Sequence, residues 1–113
     1  MKIASLKKDI ELKEDRPAIN VMLETEAGKE IRIAFKAGQL MKRHQAPFPI
    51  VVEVFEGSIE FGVNDDKVIT LEAGDLIALE ASVPHDLLAN TDSIVRLSLN
   101  KLDTTKRVED VVK

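Results

Sequence analysis

A chain of 113 residues with a formal charge of -4 is long enough for one domain and one hydrophobic core. Its 16 Lys and Arg are scattered among 20 Asp and Glu, so it offers no clustered positive surface for nucleic acid. Cysteine is absent, which removes disulfides, thiol nucleophiles and thiolate metal sites together. No apolar run approaches membrane-spanning length, and the opening MKIASLKKDI has no apolar stretch behind its charges. A cytoplasmic protein is the expectation.

In chain order, SLKKDIEL near the start reads as a turn or an edge strand, and Pro17 interrupts any helix continuing past it. EIRIAF (30–35) places Ile31, Ile33 and Phe35 on one face and Arg32 and Ala34 on the other. IVVEVFEG (50–57) puts Ile50, Val52 and Val54 opposite Val51, Glu53 and Phe55. SIEFGV repeats the pattern with Ile59, Phe61 and Val63, and VITL, DLIALE (75–80) and SIVRLSL (93–99) follow. Period-two alternation in short runs is the mark of half-buried strands. Turn formers separate them: EAG, KAG, EG, NDD, EAG again and NTD. Seven or eight such strands predict an all-β sandwich or barrel occupying 1–113 as a single unit. The tail TTKRVEDVVK reads either as a short helical turn with Val108, Val111 and Val112 inward or as a loose end.

The remaining signal lies in two histidines and three glycines. Gly38 precedes His44 with five residues between them, Gly57 follows, and Gly74 precedes His85 by eleven positions. These spacings resemble the two motifs of the cupin superfamily, specifically its small single-domain, type-2-like members, over about residues 30–100. Ala46 stands where that family's second histidine belongs and Ile50 where its glutamate belongs. In the second motif Glu80 replaces a proline, Ser82 replaces a glycine, and Asn90 lies one place beyond the expected asparagine.

The resemblance implies a double-stranded β-helix, a jelly-roll barrel of two antiparallel sheets with a pocket in its mouth. Metal-bearing cupins hold iron, manganese, nickel or zinc there through three histidines and a glutamate, of which only His44 and His85 remain here. Two imidazoles alone make a weak site, since divalent transition metals take three or four protein ligands. No tightly bound cofactor is expected, although a divalent metal (Zn, Ni, Fe or Mn) held by His44 and His85 is the ligand set the motif suggests. Glu53 falls on the face opposite Ile50, Val52 and Val54, so it points away if that apolar face lines the barrel, and Asp86 alternates away from His85 unless a loop bends it inward. The two histidines are expected to face one site, with Met41, Phe48, Ile50 and Leu87 lining a ligand pocket. Val52 and Leu97 lie on the same parity, Ile33 and Phe35 deeper, and Arg96 on a solvated face.

Other catalytic machinery is missing: there is no phosphate-cradling glycine loop, no G-x-S-x-G elbow and no nucleotide fingerprint. The reading is a small-molecule-binding or sensor-like module with a degenerate metal site. Its alternatives are a metal-dependent dioxygenase or isomerase and a structural or interaction protein with a filled barrel. The ligand would be small and polar or anionic. Ile3, Ile10 and Leu12 in the N-terminal segment suggest docking across the edge of a second subunit in a homodimer; the competing arrangement folds the segment back on its own barrel.

Overall fold

The alternating runs fold as strands in the computed structural model of the chain, which describes residues 1–113. In order they are β1 (Ala18–Thr25), β2 (Gly28–Phe35), β3 (Leu40–His44), β4 (Ile50–Glu56), β5 (Ser58–Val63), β6 (Lys67–Glu72), β7 (Leu76–Leu79), β8 (His85–Ala89) and β9 (Ser93–Asn100), followed by the helix α1 (Thr105–Asp110). The five-stranded sheet runs β1-β2-β9-β4-β7 and the four-stranded sheet β3-β8-β5-β6, with every pairing antiparallel. This is the jelly-roll barrel expected, with nine strands where the alternation predicted seven or eight.

Register explains how the two sheets share one core. Ile31, Leu97, Val52 and Ile77 are cross-strand neighbours in the first sheet. Met41, Leu87, Phe61 and Ile69 are neighbours in the second. Adjacent residues on paired strands share a face, so each row presents its side chains to the interior. Eighteen buried apolar residues from both rows and from the C-terminal tail form one cluster. Burial of each large side chain contributes about 1.5–3 kcal/mol relative to exposure. The inward parities read from the sequence for β2, β4 and β5 are the observed ones.

Strands β1, β3 and β8 have weak sequence signals. β1 is an edge strand whose register shifts between Val21 and Leu23, which scrambles its alternation. β3 (LMKRH) contains three basic or polar residues in succession and carries its own register shift between Met41 and His44. A bulge inserts an extra residue and reverses the face of everything beyond it, so period-two reading fails there. Both histidines lie on strands of this poorly signalled group.

The two ends of the chain cover opposite needs of the barrel. On the outer face of β2, Arg32 is only 3% exposed. Its Nη1 donates to the backbone carbonyls of Ser5, Leu6 and Lys8, and its Nη2 to that of Asp9 and to Asn20 Oδ1. One guanidinium thus ties the N-terminal segment over its own sheet, the second of the two arrangements expected for it. At the other end α1 forms as the helical alternative for the tail. Thr104 caps it by accepting from Arg107 N–H at 3.3 Å, and Val108 and Val112, one helical turn apart, enter the core. Lys42 N–H donates to Val111 C=O at 3.1 Å, so the tail is also bound to β3.

Candidate functional site

His44 ends β3 and His85 begins β8, and the two residues face each other across the strand pair. Their ring centroids are 4.2 Å apart in an edge-on contact, so the pairing of β3 with β8 brings the imidazoles together. His85 is 2% exposed and stacks on Phe61 at 5.7 Å, which locks its ring plane. His44 is half-buried.

Each ring is oriented by its own backbone. His44 Nδ1 lies 2.7 Å from Lys42 C=O and His85 Nδ1 lies 2.8 Å from Val83 C=O. A carbonyl only accepts, so each Nδ1 carries the proton and each Nε2 presents a bare lone pair. Burial is the main cause that pushes His44 down to about 4, opposed by its bond to Lys42 and reinforced by the neighbouring His85 and Arg107. His85 is also lowered, by burial first and with Arg107 contributing. Both rings are therefore neutral near pH 7.

The pair borders an interior cavity of about 10 Å³. Met41, Ile50 and Leu87 line it as expected, together with Val52, Leu97 and Ile33. Phe48 is half-buried in the loop before β4 and does not line the cavity. Arg107 of α1 closes the cavity, a residue that sequence reasoning missed. Its Nε and Nη2 hold the buried Asp103 carboxylate in a bidentate pair, each at 2.7 Å, leaving the buried Nη1 without a protein partner. Arginine four residues after aspartate, beneath a threonine cap and beside inward valines, was the available signal. A larger open groove of about 670 Å³ crosses Glu30, Ser98, Val51 and Ala78 on the outer face of the five-stranded sheet. It contains no histidine, and Glu30 there is engaged by Arg96 and Ser98.

A resident metal does not fit this donor set. Ala46 and Ile50, which the motif resemblance sets at the positions of the two missing ligands, are apolar members of the core. Glu53 points outward to Arg96 at 2.9 Å, and Asp86 to Arg43 at 3.1 Å. No three His, Cys, Asp or Glu side chains gather anywhere in the chain. The cationic Arg107 moreover lies on the same cavity as the imidazoles, where it opposes a second cation.

Comparison with solved structures places this geometry in a family. An RmlC-like cupin protein from Desulfovibrio desulfuricans matches with a TM-score of 0.79 and 28% identity, covering 88% of this chain and 96% of that one. The chain belongs to the cupin superfamily. An RmlC-like cupin from Shewanella frigidimarina shares the fold at a TM-score of 0.73 and 20% identity, over 88% of this chain and 91% of that one. An uncharacterized conserved protein with a double-stranded β-helix domain from Klebsiella pneumoniae does so at 0.76 and 21%, over 87% of both chains. No family model and no curated protein matches the sequence.

Proposed function

We propose that this cupin is a small-molecule-binding module, sensor-like rather than catalytic, whose site is the His44–His85 pair beneath α1. The observation that carries the reading is the convergence of two backbone-oriented imidazoles, both with Nε2 unpartnered, on one apolar cavity. Few precisely placed polar groups on an apolar wall are the common make-up of a ligand pocket. The metal-dependent dioxygenase or isomerase reading is weaker, because only two ligands remain and Arg107 competes for the same space. The filled-barrel reading has one observation in its favour: the cavity of about 10 Å³ has room for roughly one water, so a larger ligand requires its lining to open. Titrating a panel of small polar molecules while following the nitrogen resonances of both histidine rings tests the proposal. Selective shifts at His44 and His85, lost in His85→Gln, are expected; rings unmoved by every compound would leave the filled barrel as the better account.

We also propose that two copies pair across a two-fold axis, and that the protein works in the cytoplasm. The edge strand β7 supports the pairing, since its outer N–H and C=O row is open and its Leu76 is 61% exposed. The lack of cysteine suits a reducing compartment. No helix of the chain is long and apolar enough to cross a membrane.

A further inference from the structure

The polar wall of the cavity has a definite hydrogen-bonding signature: two acceptor lone pairs on His44 and His85 Nε2, and one cationic donor, Arg107 Nη1. A ligand that only accepts, such as a simple carboxylate, satisfies the guanidinium but faces two lone pairs. One that only donates, such as an ammonium group or a metal cation, suits the imidazoles but faces the guanidinium. An oxygen that carries hydrogen does both: water's two hydrogens can serve both Nε2 atoms, an alcohol's single hydrogen serves one of them, and either oxygen accepts from Nη1.

We infer that His44, His85 and Arg107 form a built site for one hydroxyl oxygen, which donates to imidazole Nε2 and accepts from Arg107 Nη1. This deepens the small-molecule reading and rests on it for the larger ligands. Two sources share the chemistry: water, and the hydroxyl group of a small alcohol or hydroxy acid. Water matches the small cavity, because about 10 Å³ is near the volume one water centre needs and three polar partners are typical of buried water. The site is held from three directions. Val83 and Lys42 carbonyls fix the rings, and Phe61 stacks on one of them. Asp103, its side chain 1% exposed, grips the other edge of the guanidinium so that Nη1 is the nitrogen left without a protein partner. In this arrangement Arg107 supplies, from within the chain, the positive charge that a metal supplies where the full cupin ligand set is present.

Near-atomic-resolution crystals of the full chain, with parallel calorimetric titrations of glycolate and acetate, test the inference. The expected result is an oxygen within hydrogen-bonding distance of both Nε2 atoms and Arg107 Nη1, and glycolate bound about tenfold or more tighter than acetate with its hydroxyl on that spot. Arg107→Gln should lose most of that preference, while the wild-type arms decide the matter even if the variant folds poorly. An oxygen on all three partners with neither acid bound supports the site with water as its occupant and sinks the small-molecule reading. Acetate bound as tightly as glycolate overturns the hydroxyl assignment and leaves that reading standing. Density for a metal, or none touching the three groups, overturns the site itself.

Discussion

Histidine protonation is where single residues govern this protein's behaviour. His44 is held at about 4 against an ordinary 6.5, and His85 is lowered in the same sense, in each case mainly by burial. The unfolded chain therefore binds these protons more tightly than the native state. The stability conferred by neutral imidazoles is full above about 6.5 and is lost as pH falls toward 4. For His44 the loss is roughly 2 kcal/mol, less than the shift alone implies because the ring is partly open to solvent. Urea unfolding from about pH 7 to about pH 4.5 should show this decline, and His44→Gln should flatten part of it. Stability unchanged across that range would contradict the buried neutral pair. Asp103 acts lower: burial raises its carboxyl, but the Arg107 and Thr104 bonds outweigh this and hold it below the ordinary 3.8, so its contribution fades only in stronger acid. Both histidines were legible in the sequence because each sits at a fixed distance from a turn glycine. Arg107 was not, because its role depends on where a tail helix docks, and spacing carries no record of docking.

Among the elements, α1 and the turn at Gly57 carry the clearest consequences. Val108 is fully buried, so Val108→Ala should cost about 2 kcal/mol through lost burial and the cavity left behind. Thr104→Ala removes the cap and should cost about 1 kcal/mol. Thermal or urea unfolding checks both, and equal small effects would mean that the helix frays without disturbing the core. Gly57, Gly38 and Gly74 all have positive φ (96°, 87° and 97°), yet their surroundings differ. A Cβ at Gly57 would run into the Ser93 side chain and approach Asp92 C=O to 2.6 Å, whereas at Gly38 and Gly74 it meets open space. Gly74→Ala should therefore cost about 1 kcal/mol from backbone strain alone and Gly57→Ala distinctly more, the difference being read by urea midpoints. Sequence reading treated the three glycines alike, as turns between strands. It recovered β2, β4, β5, β6, β7 and β9 and missed β1, β3 and β8, where register shifts or charged residues hide the buried face.

For the whole molecule, the placement of the N-terminal segment decides how a dimer would be built. The sequence allowed that segment to dock on a partner; in the structure Arg32 binds four of its carbonyls, and Lys36 pairs with Glu14. Those carbonyls are thus satisfied within one chain, and moving the segment to a partner would require Arg32 to lose and regain the same bonds. On the pairing proposed above, an association that leaves the segment in place uses the β7 edge with Leu76 and the exposed part of Val51 on β4. On this account Leu76→Lys places a charge on the edge and should convert a dimer to a monomer without unfolding it, while deletion of residues 1–12 should destabilise the protomer more than it weakens the pair. Sedimentation equilibrium at micromolar concentration, with urea unfolding of the same samples, separates the two effects. A wild-type mass of one chain at every concentration would reject the dimer. A dimer that survives Leu76→Lys but dissociates on deletion of 1–12 would return the interface to the N-terminal segment, and with it the arrangement in which Arg32 grips the partner's backbone instead of its own.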